Sequence, residues 1–342
     1  MQNVLVTGAS GFVGSNLVEA LLARGDRVSC LVRKTSNLDR LRPLDVELVQ
    51  GDVANRDSLR RAVAGKEVVY HAAGSLRALH PKQLFQVNER GARNVAKTCA
   101  EQSNPPVLVQ VSSLAAAGPS INGRPRVPTD PPRPVSYYGR SKRAGELAVR
   151  RWADEVPITI VRPPMVLGKA DRMGLKMFKS LAHFHVHLSP GLKRHRFSVI
   201  DARDLAQLLL LAAERGKRIT RAETEPGTNR PRPSGCYFAT SDEQPTYGQL
   251  GRMVGKALGQ RVSLVVPVAL PEIWLVSFGV EVTSHLVRRP KYLNVDKARE
   301  IAAGSWTCSA ELAKSELGFR VGAPLHERLY QITQWYREQG WL

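Results

Sequence analysis

Short apolar runs alternate with amphipathic stretches through the first half of the chain. Residues 4–6, 28–32, 46–50, 68–71, 107–112 and 158–162 each read as a strand. After the first of them Leu17, Ala20, Leu21 and Leu22 mark a helix, and helical patterns follow at 57–64, 83–100 and 139–152. Repeated β-α alternation predicts a parallel sheet with helices on both faces. Right-handed crossovers then gather the strand C-termini, and with them a ligand, along one edge. The pattern loosens after residue 165. Residues 216–235, polar and rich in Pro, Gly and Arg, read as a mobile loop. Beyond it lie a strand at 236–239, a helix at 247–258, a strand at 262–267 and an apolar helical stretch at 268–288 interrupted by Glu272 and Glu281. The last helix, 325–341, sets Leu325, Leu329, Ile332 and Trp335 on one face. The expected fold is α/β: a Rossmann doubly wound parallel sheet with a smaller C-terminal substrate lobe. Residues 1–165 with about 197–240 form the first, and about 166–196 with 241–342 the second.

The turn after the first strand carries the first chemistry. It reads TGASGFVG, Thr7 to Gly14. Gly8 suits a tight turn. Gly11 lets backbone N–H groups approach a pyrophosphate, and Gly14 lets the helix pack on the strand. The helix start offers unpaired N–H groups and the positive end of its dipole. Gly8, Ser10, Gly11, Phe12, Val13 and Gly14 are therefore candidates to hold a dinucleotide.

Tyr138 and Lys142 stand four apart in a predicted helix, on one face and one turn apart. An ammonium beside a phenol favours the phenolate, so Lys142 is expected to lower the Tyr138 pKa and ready it for proton transfer. Lys142 also suits a ribose hydroxyl. The fifth strand ends in Ser112 and Ser113, where a hydroxyl is placed to orient a substrate oxygen. An exposed helix face and a pair of turn serines explain the same residues less well, because both follow a dinucleotide-type sheet.

With these residues in place the sequence resembles the extended short-chain dehydrogenase/reductase family, also called the NAD-dependent epimerase/dehydratase family. The likeness covers nearly the whole chain and is strongest over 1–205. The resemblance implies the catalytic set Ser113, Tyr138 and Lys142, with Ser113 keeping the family's spacing to Gly118. It gives Asn88 a structural and proton-relay role. It places Asp52 and Val53 at the adenine, Ala72, Ala73 and Gly74 beside the cofactor, and Arg162–Pro163 over the nicotinamide. Residues 165 and 167, Asn and Tyr in the family's sugar-nucleotide enzymes, are Met165 and Leu167 here. VSSLAAAGPS and the segments 304–319 and 334–342 resemble the 3β-hydroxysteroid dehydrogenase and dihydroflavonol reductase branch, which acts on bulky hydrophobic alcohols or ketones. Met165 and Leu167 are accordingly expected to line an apolar pocket.

The end of the second strand sets the cofactor. An NAD site carries an acidic residue there for the ribose 2′-hydroxyl. This chain has Val32–Arg33–Lys34, and a guanidinium at Arg33 suits a 2′-phosphate, so NADP is expected, with NAD as the alternative. The leading reading is a hydride-transferring oxidoreductase with Tyr138 as general acid/base. Two rivals stand beside it. One is a nucleotide-sugar epimerase or dehydratase that recycles the hydride on a retained cofactor. The other is a non-catalytic NADP(H)-binding protein, which has no need of all three of Ser113, Tyr138 and Lys142.

Composition narrows little further. With 43% of its 342 residues hydrophobic, the chain can build a large core. The net charge of +20 is spread along the sequence, densest at 193–196 and without interleaved aromatics, so a small-molecule substrate and no nucleic-acid partner are expected. Cys30, Cys99, Cys236 and Cys308 lack metal-ligand spacing, so no metal site is expected, and Cys30 and Cys99 read as small core residues. With no signal peptide or spanning stretch evident, the expectation is a cytoplasmic homodimer. The apolar stretch 268–288 is expected to be core or a contact between copies. Its alternative is a helix lying on a membrane and collecting a lipophilic substrate.

Overall fold

The structure, a computed structural model, describes residues 1–222 and 234–342. Most of the loop expected over 216–235 therefore lies outside the described residues. Six strands come first: β1 (Asn3–Thr7), β2 (Arg27–Val32), β3 (Glu47–Gln50), β4 (Val68–His71), β5 (Val107–Val111) and β6 (Ile158–Arg162). They are followed by β7 (Met165–Leu167), β8 (Val186–Pro190), β9 (Val199–Asp201), β10 (Cys236–Phe238) and β11 (Leu264–Val268). Seven of these pair in parallel in the order β10-β6-β5-β4-β1-β2-β3. The direction of winding reverses between β1 and β4, and this opens a crevice at the strand C-termini.

The period of a strand sends alternate side chains to opposite faces. In β1, Val4 and Val6 enter one core and Leu5 the other. The first core takes Leu17, Val18 and Leu21 from helix Phe12–Ala23, with Leu205, Leu208 and Leu209 from helix Ala202–Arg215. The second takes Leu59, Val95 and Val149 from helices Arg56–Val63, Ala92–Ala100 and Tyr137–Arg150. Cys30 and Cys99 are buried in these cores. The helix expected over 83–100 is real but interrupted. Helix Pro81–Phe85 runs into a π-helical turn, Gln86–Gly91, before Ala92–Ala100 resumes the α form.

The smaller lobe gathers around Leu167, Phe178, Leu181, Leu250, Leu329 and Ile332. Helix Leu325–Glu338 contributes the face read from the sequence. Leu167 is buried in this core and Met165 packs against it, so instead of lining an apolar pocket both serve the packing of this lobe. Two small parallel sheets, β8 with β11 and β7 with β9, complete the lobe.

Helix Leu270–Leu286, within the apolar stretch 268–288, is not core. Its buried positions are Ile273, Ser277 and Ser284, whereas Leu275 and Phe278 are 73% and 61% exposed. No helix among the described residues is long and apolar enough to cross a membrane.

Candidate active site

The glycine turn is shaped by close contacts. Gly8 has φ +73°, and a Cβ on it would lie 2.6 Å from the backbone nitrogen of Ala73. A Cβ on Gly14 would lie 2.1 Å from the carbonyl oxygen of Gly8, so the helix packs on the turn only as glycine. Gly11 is exposed and caps helix Phe12–Ala23 without a side-chain hydrogen bond, leaving N–H groups of the first turn open to an anion. Ser10, Phe12 and Val13 are half-buried around it. This cradle fits a pyrophosphate.

Arg33 and Lys34 are exposed at the end of β2. Arg40, which the sequence reading passes over, hydrogen-bonds Ser15 in the first helical turn and pairs with Glu19 at 2.5 Å. At the end of β3 the Asp52 carboxylate accepts the Ala54 N–H at 2.8 Å, closing a turn. The neighbouring Val53 is buried against Gly91, where a Cβ would come within 2.8 Å of its methyl.

At the end of β4, Thr7 Oγ1 and His71 Nδ1 are 2.6 Å apart, and the Ala73 N–H donates to the same hydroxyl at 3.3 Å. Burial, with the Lys142 ammonium nearby, pushes the His71 imidazole down to about 3 and keeps it neutral. These bonds fix the 72–74 edge. Asn88, in the π-helical turn, accepts the Ser75 N–H at 2.8 Å and donates to the Ser75 carbonyl at 2.9 Å and to Ser141 Oγ at 2.8 Å. Its side chain thus pins the chain just past Gly74 to the helix bearing Tyr138. A Cβ on Gly145 would lie 2.2 Å from the Asn88 carbonyl oxygen, so the two helices approach through that glycine.

Of the two serines, Ser112 donates to the buried Glu146 carboxylate at 2.5 Å, away from the crevice. Ser113 accepts the Ala115 N–H at 3.1 Å, capping the turn Leu114–Ala117, and its hydroxyl lies near enough to the Tyr138 phenol to favour the ionised form. The buried Pro163 holds that turn, its carbonyl accepting the Leu114 N–H at 2.8 Å.

Tyr138 and Lys142 lie on helix Tyr137–Arg150, but not in the relation expected. Lys142 Nζ donates to the Val111 carbonyl at 2.7 Å, at the end of β5. Burial pushes its ammonium down to about 8, against the pull of the Glu146 carboxylate. The Tyr138 phenol is not held low. Burial pushes it up to about 12 and the Glu300 carboxylate adds to this, while the Ser113 hydroxyl and the Lys297 ammonium oppose. Lys142, its ammonium turned to the backbone of β5, is not among the groups that shift the phenol in this arrangement.

Lys297 belongs to a cluster missed in the sequence. Asp296, Lys297 and Glu300 lie on helix Val295–Ala302 of the C-terminal region. The Asp296 carboxylate accepts the Tyr137 and Tyr138 N–H groups at 2.7 and 3.1 Å, capping the Tyr138 helix from another element. Glu300 accepts from Ser136 Oγ at 2.6 Å and pairs with Lys297, whose Nζ lies 4.9 Å from the centre of the Tyr292 ring. A cavity of about 270 Å³ opens here over Tyr138. Its lining mixes Leu76, Ala78, Leu79 and Leu84 with Arg77, Tyr292, Lys297, Arg299 and Glu300. Nothing in the sequence pattern singles out Asp296, Lys297 and Glu300.

Sheet order, glycine cradle and a Tyr-x-x-x-Lys helix facing the crevice define a dinucleotide-dependent enzyme. The chain belongs to the NAD dependent epimerase/dehydratase family, whose sequence profile matches residues 4–224. It is similar to the ceramide reductase of Caulobacter vibrioides, 31% identical with 99% of this chain and 96% of that protein covered. It is likewise similar to sterol demethylase protein B of Methylococcus capsulatus, 29% identical with 98% of each covered. Among solved structures, the UDP-glucose 4-epimerase of Thermus thermophilus in complex with NAD shares the fold, with a TM-score of 0.73, 21% identity, and 98% of this chain and 99% of that one covered. The protein is thus an NAD(P)-dependent enzyme of the extended short-chain dehydrogenase/reductase family.

Proposed function

We propose that the protein is an NADP(H)-dependent reductase of hydrophobic ketones, forming secondary alcohols. The observation that carries this reading is the Tyr138 phenol, held neutral near Ser113 and lining a cavity to which Leu76, Ala78, Leu79 and Leu84 contribute apolar surface beside charged groups. A neutral phenol is an acid, the form that reduction of a carbonyl requires. Ser113 orients the substrate oxygen, and Tyr138 gives its proton to that oxygen from Oη. Lys142 keeps a positive charge beneath the site. A bound nicotinamide cofactor would supply the hydride. Both relatives covered over almost their whole length carry names of lipid chemistry, which supports a lipophilic substrate. The test is a screen of hydrophobic ketones and UDP-hexoses with NADPH. Turnover is expected with ketones alone. Conversion of a UDP-hexose without net cofactor oxidation would move the assignment to an epimerase.

Arg33 is proposed to meet the 2′-phosphate. Charge-assisted contacts of this kind are worth about 1.5–3 kcal/mol, so Arg33→Asp is expected to weaken NADPH binding by about tenfold to a hundredfold. Binding of NADH should change little. Fluorescence titration of both cofactors decides it, and equal losses would remove Arg33 from this role.

The pH profile follows from Lys142. Its ammonium titrates at about 8, so charge beneath the site is present below that pH and lost above it. The rate of ketone reduction, measured as kcat/KM, is expected to fall by about tenfold per pH unit once pH passes 8. In Lys142→Met that alkaline limb should disappear along with most of the activity. A wild-type profile flat to about pH 10 would exclude Lys142 as its source.

A further inference from the structure

Helix Leu270–Leu286 is built inside out. Its inward line is Ile273, Ser277 and Ser284, and Glu281 is turned inward to accept the Val295 N–H at 2.9 Å. Its outward side carries Leu275, Val276, Phe278, Val282 and Leu286, the last 77% exposed. A helix in contact with water alone is expected to reverse this arrangement. The apolar surface also continues beyond the helix. β11 leads directly into it, and Leu264 and Leu188 on β11 and β8 are both 58% exposed.

The charges at the ends of this face are mainly positive, with one exposed carboxylate, Glu272, in the first turn. Arg288, Arg289 and Lys291 follow its C-terminal end. At the other end the Gly191 N–H donates to the Val268 carbonyl at 2.8 Å, which brings Lys193 and Arg194 to the start of the helix. The only carboxylates on the helix are Glu272 and the inward Glu281. An exposed apolar face rimmed by cations matches the interface of an anionic bilayer, where apolar side chains enter the headgroup region and Lys and Arg meet lipid phosphates. Two copies joined through this face would set like charges against each other.

We infer that the protein docks on anionic membranes through the outward face of helix Leu270–Leu286 and its basic ends. Glu281 also lines the cavity over Tyr138, so docking would set that cavity beside the lipid. The docking proposal stands apart from the reductase reading, and its test needs no substrate.

The experiment is flotation of the full-length protein with vesicles of phosphatidylcholine alone or mixed with phosphatidylglycerol. The wild type is expected to float with the mixed vesicles, to bind phosphatidylcholine far more weakly, and to be released by salt. Leu275→Glu with Phe278→Glu should weaken binding by about tenfold or more. Arg288→Gln with Arg289→Gln, both exposed and outside the core, should weaken it by about fivefold per charge removed. Unchanged circular dichroism and NADPH affinity show that each variant is folded. Wild type that stays with no vesicle, or variants that float as it does, would overturn the proposal. So would sedimentation velocity showing a wild-type dimer that the Leu275/Phe278 variant splits, since the face would then belong to a second copy.

Discussion

Tyr138→Phe is expected to lower turnover by about 10²–10⁴-fold while leaving cofactor affinity and stability nearly unchanged. The ring, its cavity and the helix cap all survive, because Asp296 binds the backbone N–H of Tyr138 and not its side chain. What is lost is the hydroxyl near Ser113 that is proposed to donate to the substrate oxygen. Tyr138 is a cleaner test than Ser113. The Ser113 hydroxyl also accepts the Ala115 N–H at 3.1 Å, so removing it loosens the turn Leu114–Ala117 as well as the site. Steady-state rates on a ketone found in the screen, with NADPH titration and thermal melting alongside, make the measurement. A Phe variant within about twofold of the wild-type rate would exclude Tyr138 as the proton donor, since even modest acid–base participation exceeds that.

The parts of the site visible in sequence are those whose chemistry is local. The glycine turn is written in consecutive residues, and its spacing reflects contacts between near neighbours such as Gly8 and Gly14. Tyr138 and Lys142 share a helix face by period alone. That face does not reveal where Lys142 points, because its partner, the Val111 carbonyl, belongs to another element. Asp296, Lys297 and Glu300 are invisible for the same reason: they meet Tyr138 from the far end of the chain, and only tertiary packing turns a charged helix face into a cap and a cavity wall. Leu167 shows the converse error. An apolar residue at a position that reads as substrate-facing goes into the nearest core instead. Helix Leu270–Leu286 reads as buried from its composition, but composition does not say which side of a helix faces water, and its serines take the inward line.

The largest effect on stability is expected at Glu146, behind the site. Its carboxylate accepts from Arg162 Nε at 2.7 Å and from a second Arg162 nitrogen at 2.6 Å, from Arg143 at 2.9 Å and from Ser112 at 2.5 Å. Glu146 and Arg162 are buried, and Arg143 is partly so. Burial alone pushes Glu146 up, but Arg162 and Arg143 with the Ser112 hydrogen bond hold it down to about 2. Glu146→Ala strips the two guanidinium groups of that carboxylate in a site closed to water, and is expected to lower the unfolding free energy by about 3–5 kcal/mol. Urea denaturation measures it. Replacing both charges with apolar groups, Glu146→Leu with Arg162→Met, should recover much of the loss, because the desolvation of two ions then no longer opposes folding. The pH dependence gives an independent check. With its folded value depressed to about 2 from 4.5, Glu146 contributes fully above pH 4.5 and loses that contribution as pH falls towards 2. Wild type should therefore lose stability more steeply than Glu146→Ala over that window. Parallel acid profiles, or a variant within about 1 kcal/mol of wild type at neutral pH, would show that the pair does not hold this face of the sheet to the Tyr138 helix.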